Sequence, residues 1–256
     1  RLQAGQGACH MSAHHEAAAH LSRGLELLEG VPPGPERMQM ELGLQTLLGT
    51  TLITTFGYAA PQVEEAFARA RTLCHTLGDP PQVIPVLFGL CLYHMVHGEI
   101  RRARDEGERF LPLTRQAGDV GYEIGCHFLL GAITLYQGEL ERARRHFEEA
   151  AALHDLDRDR DLAHRLGNDP VVASLLYLSW TLWFQGYPEQ ATARMEEGLR
   201  LAEELAHPHT STLAAFFAST FHQLVRQWPE CQAEAERALA LAGRGRFPFW
   251  QAGCTM

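Results

Sequence analysis

Four histidines near the start of the chain, His10, His14, His15 and His20, could in principle support metal chemistry. The zinc-protease helix pattern HExxH places two histidines four residues apart on one helix face, with a glutamate between them as the base. The stretch from His15 to His20 has one residue too many, so these two side chains would diverge by about 140° around a helix. His10 and His14 do share a face, but two histidines alone make a poor site. We therefore predict no bound metal.

Alternating aspartates over residues 155–161 raise a second possibility, a calcium loop. A loop of the EF-hand type needs glycine at its sixth position and glutamate at its twelfth. This chain has Arg160 and Leu166 there, and intervening arginines cancel much of the negative charge. Calcium binding is therefore not predicted. The segment from His154 to Pro170 is about eight residues longer than the repeat pattern described below requires. We predict a solvated connector there, with partner contact or a hinge as the alternative.

Catalytic chemistry is limited by the composition, because all 22 basic side chains are arginine and the chain contains no lysine. A Walker A loop needs a lysine to reach the phosphates, and Schiff-base and Ser-Lys mechanisms need one as well. Neither a GxSxG nor a GxGxxG pattern occurs in the sequence. We therefore predict no catalytic residues, no cofactor and no enzymatic activity for this chain.

A recurring pattern around three glycines indicates how the elements are organised. Gly98, Gly138 and Gly186 each lie five residues before an alanine, and further apolar or small residues follow that alanine after four and seven positions. A helical face that recurs at a nearly fixed period is typical of a repeat array. The glycines then mark turns within helix–turn–helix repeats, and we expect equivalent turns near Gly57 and Arg226.

The clearest copy has Leu130 and Gly131 in a first helix, Gly138 at the turn, then Ala143 and Phe147 in a second helix. This pattern resembles the tetratricopeptide repeat (TPR), which implies an all-α, right-handed superhelical solenoid of helix–turn–helix repeats. Small residues lie where the two helices cross closely, and large ones fill the space to the next repeat. We expect one solenoid domain over residues 1–256, with repeats at 10–35 (partial), 36–79, 80–119, 120–169, 170–209 and 210–246, and a further helix starting within 247–256.

A second, narrower resemblance rests on residues 57–64, 177–188 and 205–208. These segments are similar to the C-terminal TPR region of large bacterial signalling proteins, in which an AAA/STAND-type ATPase is joined to an adenylate cyclase or a transcription regulator. The resemblance implies a sensor or scaffold segment, and it places no catalytic residue on this chain. It also predicts a fragment of a longer protein, beginning inside one repeat and ending in a helix cut short.

Composition and charge disfavour several classes of function. The net charge of -9 at pH 7 disfavours direct nucleic-acid binding, because phosphate recognition needs a basic surface. No apolar run reaches the roughly 18 residues of a membrane span, and no secretory signal opens the chain. Six cysteines without a CxxC pair or disulfide-like spacing favour a reduced, cytoplasmic protein.

Apolar and aromatic residues of the predicted first helices form the candidate binding site. By analogy with the repeat, they face the concave side of the solenoid. The predicted groove consists of Phe88, Leu92, Met95, Phe128, Tyr136, Tyr177, Trp180, Trp183, Phe184, Phe216 and Phe217. Such a groove suits an apolar or amphipathic peptide segment, with tryptophan and tyrosine as its strongest contacts. The alternative is that these side chains only fill the core between repeats.

The sequence therefore predicts a non-catalytic interaction and regulatory module. Its partner would be a protein or peptide segment, or another domain of the same polypeptide, with no direct nucleic-acid or membrane contact. The alternative function is a small-molecule sensor in which Trp180, Trp183 and Phe184 close an aromatic pocket in the fifth repeat. A surface open along several repeats favours peptide binding, whereas a closed cavity of about a few hundred Å3 near the fifth repeat favours the sensor.

Overall fold

The computed structural model describes residues 14–78 and 81–255, and every regular element in these ranges is helical, as predicted. The helices are α1 (His14–Leu28), α2 (Pro35–Phe56), α3 (Pro61–Thr76), α4 (Val83–Val96), α5 (Ile100–Ala117), α6 (Val120–Tyr136), α7 (Leu140–Ala152), α8 (Leu162–Leu166), α9 (Pro170–Phe184), α10 (Pro188–Leu205), α11 (Pro208–Leu224), α12 (Trp228–Gly245) and α13 (Pro248–Cys254).

Packing divides the chain into two compact units, Arg1–Tyr122 and Glu123–Met256, called here the N-terminal and the C-terminal unit. Helix α6 begins in the last residues of the N-terminal unit and lies mainly in the C-terminal unit. Each unit is a series of packed helix pairs. The prediction that all repeats form one solenoid stays a prediction.

The N-terminal unit contains the pairs α2/α3 and α4/α5, and α1 packs against α2. The ring of Phe67 on α3 is held between two glycines of neighbouring first helices. A Cβ added at Gly49 on α2 would lie 2.7 Å from that ring, and one added at Gly89 on α4 would lie 2.2 Å from it. Because such distances are shorter than van der Waals contact, only glycine fits there without a shift of the ring. The aromatic residue of a second helix thus joins two repeats.

The C-terminal unit contains the pairs α6/α7, α9/α10 and α11/α12, and α13 packs against α12. In the first pair, a Cβ added at Gly131 would lie 2.5 Å from the ring of Phe147, so the two helices cross very closely there. Ala143, Phe147 and Ala150 form the fully buried face of α7. The small and large residues singled out in the sequence therefore lie at the crossing, which confirms the repeat register at this pair.

The turns inside the pairs occur where the sequence predicts them. Gly98, Gly138 and Gly186 have φ angles of 88°, 77° and 84°, a left-handed conformation in which glycine has no Cβ penalty. Gly57 lies in the turn between α2 and α3, and Arg226, with φ of 61°, has the same position between α11 and α12. The turn therefore requires the left-handed backbone conformation, even where arginine stands in place of glycine.

The segment between α7 and α9 is only partly the solvated connector that its charges predict. It contains the short helix α8, whose residues Leu162, Ala163 and Leu166 are buried. The side chains of Asp159 and Asp169 are buried as well. The charge pattern alone predicts solvation, but two of the aspartates are buried because they form hydrogen bonds with the local backbone. Asp159 accepts from the amide of Asp155, and Asp169 accepts from two amides at the start of α9.

Candidate functional site

The first helices of the C-terminal unit carry a single charged side chain, that of Glu123 near the start of α6. Residues 124–136 of α6, together with α9, α11 and α13, contain neither Asp, Glu, Lys nor Arg, and histidine is their only titratable residue apart from tyrosine and cysteine. The second helices α7, α10 and α12 carry the acidic and arginine side chains instead. Since α9 packs on α11 and α11 packs on α13, the unit has one uncharged side, defined by its first helices.

Four aromatic side chains connect these first helices, and we call Tyr136, Tyr177, Trp180 and Phe217 the aromatic row. The hydroxyl groups of Tyr136 on α6 and Tyr177 on α9 lie 2.7 Å apart and share a hydrogen bond. The Phe217 ring on α11 lies 4.7 Å from the Tyr177 ring and is stacked on Trp180 at the same centroid distance. Each such ring pair adds about 0.5–1.5 kcal/mol beyond its buried area, so the row holds three helices in register.

The predicted groove residues differ in their accessibility. Tyr136 and Phe184 are exposed by 54% and 52%, and Trp180 and Trp183 are half-buried. The Trp183 ring contacts the edge of Phe221. Phe216 is also half-buried and lies against Trp250 of α13. The accessible members therefore lie on α6, α9 and α11, on the uncharged side of the unit.

The remaining predicted groove residues are buried. Phe128, Tyr177 and Phe217 are buried in the C-terminal unit, and Phe88, Leu92 and Met95 are buried on α4 in the N-terminal unit. In this state of the molecule they provide packing. Their role in a groove stays a prediction.

Trp180 contributes an unpaired hydrogen-bond donor. Its indole N–H is buried and has no acceptor among the residues that the structure describes. A buried donor without a partner costs about 1–3 kcal/mol, so a bound group that accepts from this N–H would remove that cost. The carbonyl Oε1 of Gln185, just after α9, is unpaired in the same way, although its Nε2 donates to Glu141.

Exposed aromatic side chains outside the predicted groove include Tyr187 and Trp228 in the C-terminal unit. Tyr187 and Trp228 are exposed by 44% and 60%, and both lie beside the turns inside their helix pairs. The guanidinium group of Arg144 lies over the Tyr187 ring, 5.4 Å from its centroid. Tyr187 directly follows Gly186, and Trp228 lies two residues after Arg226, so their position beside the predicted turns was the available signal.

A pocket of about 190 Å3 also lies in the C-terminal unit, between α7, α9, α10 and the loop that begins at His154. Its position in the fifth repeat matches the alternative prediction of a small-molecule sensor. Its walls do not match, because they are aliphatic and charged and include none of Trp180, Trp183 and Phe184. The pocket and the aromatic row are therefore two different features of the unit.

Three of the four N-terminal histidines lie within the described residues. His14, His15 and His20 lie on α1, where His20 faces Glu16 at 3.5 Å and His15 packs edge-on against Phe56, while His10 lies outside the described residues. Within residues 14–78 and 81–255, no three His, Cys, Asp or Glu side chains are grouped closely enough to hold a metal ion. Within the same ranges, no helix has the length and apolar character that a membrane crossing requires.

Compared by sequence, the chain matches no protein-family profile and no curated protein. Compared by structure, it is similar to a Rap conjugation gene regulator of a plasmid in complex with a Phr peptide, with a TM-score of 0.71 and 16% identity over 95% of this chain and 62% of that one. A Rap protein complexed with competence and sporulation factor gives a TM-score of 0.65 and 10% identity over 99% of this chain and 78% of that one. A STAND signal-transduction ATPase with a tetratricopeptide-repeat sensor from Pyrococcus horikoshii gives a TM-score of 0.55 and 14% identity over 94% of this chain and 35% of that one.

Identities this low establish the fold alone. The chain has a TPR-like helical repeat fold, which confirms the predicted fold class and the resemblance to the repeat region of STAND-type signalling proteins. The chain spans less than two thirds of the length of the Rap conjugation gene regulator and about a third of the STAND ATPase.

Proposed function

We propose that the C-terminal unit binds an uncharged, apolar polypeptide segment and that the chain is a non-catalytic interaction and regulatory module. One observation carries the proposal: the uncharged side of the unit presents accessible aromatic residues, among them Tyr136, Trp183 and Phe184. Large aromatic side chains that remain partly exposed on a surface without charges mark interaction sites in proteins.

The charge distribution defines the chemistry of the partner. Because residues 124–136, α9, α11 and α13 carry no acidic or arginine side chain, a charged segment lying along them would lose hydration and gain few ion pairs. An apolar segment loses little favourable hydration there, and it buries the surface of the aromatic side chains. The backbone carbonyl groups of such a segment are hydrogen-bond acceptors. The indole N–H of Trp180 is a donor without an acceptor among the described residues.

The structural comparisons support a polypeptide as the occupant. The similar Rap conjugation gene regulator is in complex with a Phr peptide, and the similar STAND ATPase has a tetratricopeptide-repeat sensor. We propose that the segment comes from a partner protein or from another domain of the same polypeptide, and that the chain is the sensor part of a larger bacterial signalling ATPase or transcription regulator. Binding would then regulate that protein without any catalytic step in this chain.

The test is binding of peptides selected from a random display library against the protein. We expect the selected sequences to be apolar and their affinity to change little between about 50 and about 500 mM salt, because no ion pair forms. Trp183→Ala should weaken binding by about 2 kcal/mol or more, as for a central aromatic contact. Phe184→Ala should also weaken it, and this exposed side chain can be removed with little effect on folding.

Trp228→Ala is the matched control, because it removes the same type of side chain from the start of a second helix. It should leave the affinity nearly unchanged. The proposal fails if the selected peptides are charged and dissociate with salt, or if Trp228→Ala weakens binding as much as Trp183→Ala. Circular dichroism of each variant checks that the helical content is retained.

A further inference from the structure

Helix α13 is held against α11 by a buried hydrogen bond and by ring contacts. The indole Nε1–H of Trp250 donates to Nε2 of His209 over 2.9 Å, and both side chains are buried. The Trp250 ring lies 5.3 Å from the Phe216 ring, measured between centroids. The Phe247 ring, just before α13, meets the His209 ring at a centroid distance of 4.9 Å. Two aromatic side chains of the segment 247–254 thus lie against one buried histidine.

The hydrogen bond from Trp250 fixes the protonation state of His209. An indole nitrogen carries a hydrogen and offers no lone pair, so it can only donate. Nε2 of His209 must then be the acceptor, which requires a neutral imidazole with its proton on Nδ1. A proton on Nε2 would place a second donor against the indole N–H. The hydrogen bond and the charged form of His209 therefore exclude each other.

The surroundings of His209 offer little compensation for a positive charge. Helix α13 contains neither Asp, Glu, Lys nor Arg. The titratable and charged groups that the other packed elements place around this end of α11 are His207 of α11 itself, His164 of α8, Asp169 at the start of α9, Glu203 and Glu204 at the end of α10, and Arg244 and Arg246 at the end of α12.

These groups act in both directions. The two glutamates pair with arginines on α12 and α10, and the arginines at the end of α12 oppose a further positive charge. Asp169 favours one, but burial raises the pKa of its carboxyl group above 3.8. Burial of His209 itself disfavours the charged form. A proton on this ring is thus much better accommodated in water than under α13.

Helix α13 is the element that can open most easily to let water reach His209. It has seven residues, and an isolated helix of fewer than about 12 residues is marginal in water. Opening a short element costs less free energy than unfolding the whole unit. Since Phe247 and Trp250 both lie against His209, movement of this one segment exposes the histidine.

We propose that α13 is a proton-dependent latch, which docks on α11 while His209 is neutral and docks more weakly once His209 takes up a proton. The open state binds the proton more readily than the docked state, so docking weakens as pH falls. Docking is strongest above about pH 6.5, where an imidazole in water is mostly neutral. Because Phe216 lies against Trp250, opening also uncovers aromatic surface on the uncharged side of the unit. Only the effect of this uncovering on peptide binding rests on the proposed function.

The experiment measures hydrogen exchange of the indole N–H groups in the full chain by nuclear magnetic resonance. Exchange of Trp250 is divided by that of the exposed Trp228 at each pH, which removes the intrinsic effect of pH on the chemistry. If only the open state binds the proton, the protection of Trp250 should fall by about 30-fold between about pH 7.5 and about pH 5.0. Circular dichroism should show that the helical content is retained, because only α13 opens.

Two substitutions separate His209 from its neighbour on α11. The amide oxygen of His209→Gln accepts from the indole without titrating, so the fall in protection should shrink to less than about three-fold. His207→Asn is the matched control, because it removes the neighbouring imidazole and keeps a side-chain cap for the amide of Thr210. This control should show the full fall.

The proposal is overturned if the protection of Trp250 in the wild type is equal at both pH values. An equal fall in His209→Gln and wild type, or the loss of the effect in His207→Asn, would also overturn it. Loss of helical content together with protection would show that the unit unfolds as a whole, which contradicts a local opening. None of these measurements involves a peptide, so their outcome is independent of the peptide-binding proposal.

Discussion

The hydroxyl groups of Tyr136 and Tyr177 lie 2.7 Å apart and join two consecutive first helices of the C-terminal unit. Tyr177 is buried and its ring is stacked on Phe147 of α7, with centroids 5.8 Å apart. The exposed ring of Tyr136 is thus attached to a fixed, buried anchor. A surface aromatic held in this way loses little conformational freedom on binding, which favours affinity.

Tyr136→Phe should lower the free energy of unfolding by about 0.5–1.5 kcal/mol, because the variant loses the hydrogen bond between the two hydroxyl groups. Tyr187→Phe is the control, since this tyrosine is also partly exposed on the same unit. It should change stability by less than about 0.5 kcal/mol. Urea denaturation followed by tryptophan fluorescence measures both. An equal loss for the two variants would show that the bond between Tyr136 and Tyr177 does not stabilise the unit.

Ala143→Leu should destabilise the C-terminal unit by about 1–3 kcal/mol, because the larger side chain overpacks the buried crossing of α6 and α7. Ala143 is fully buried, whereas Ala152 on the same helix is exposed. Ala152→Leu introduces the same side chain and should change stability by less than about 0.5 kcal/mol. Thermal denaturation compares the two variants, and equal midpoints would mean that the repeat register at α7 is misassigned.

Asp169→Asn tests a buried cap at the start of α9. Burial raises the pKa of Asp169 above its ordinary value of 3.8, although its carboxylate accepts hydrogen bonds from the amides of Val172 and Val171 and lies near His154. The folded protein therefore holds this proton more tightly than the unfolded chain, and its stability contribution is lost as pH rises from 3.8 through the raised pKa. Asparagine caps a helix equally well without a proton to lose.

The asparagine variant should accordingly be at least as stable as the wild type near neutral pH and should show a flatter dependence of stability on pH above 3.8. Asp169→Ala, which removes the cap, should instead lose about 0.5–2 kcal/mol. Urea denaturation over a series of pH values measures both variants. If the asparagine variant were as unstable as the alanine variant, the carboxylate charge itself would be required.

His94→Gln tests a buried histidine in the N-terminal unit. Burial lowers the pKa of His94 below 6.5, with Arg102 acting in the same direction and Glu99 against it. The unfolded chain then takes up a proton that the folded protein resists, so stability is lost as pH falls below 6.5 and through the lowered pKa. The Glu106 carboxylate, 3.7 Å from the ring, has a pKa raised by burial and contributes with the opposite sign.

Because Glu106 is present in both proteins, the difference between wild type and variant reports on His94. The stability of the glutamine variant should fall less steeply than that of the wild type as pH decreases below 6.5. Denaturation curves of the two proteins over this interval provide the measurement. Parallel pH profiles would show that His94 does not titrate with folding.

The helix pairs, their turns and the close crossings are predictable from residue types and their spacing. Gly138 and Gly186 mark turns because the left-handed backbone there disfavours a Cβ. Gly131, Ala143 and Phe147 mark a crossing because small and large residues must alternate where two helices meet. These are local rules, acting over a few residues at helical spacing, so the order of the residues is enough to apply them.

Which aromatic residues are accessible depends instead on the packing of distant parts of the chain. Tyr177 and Phe184 are two turns apart on α9, yet Tyr177 is buried by Phe147 and Phe217, whereas Phe184 is half exposed. His154 likewise enters a pocket wall together with residues of α10 about fifty positions further on. Burial depends on which distant side chains pack alongside a residue, and helical periodicity carries no information about those neighbours.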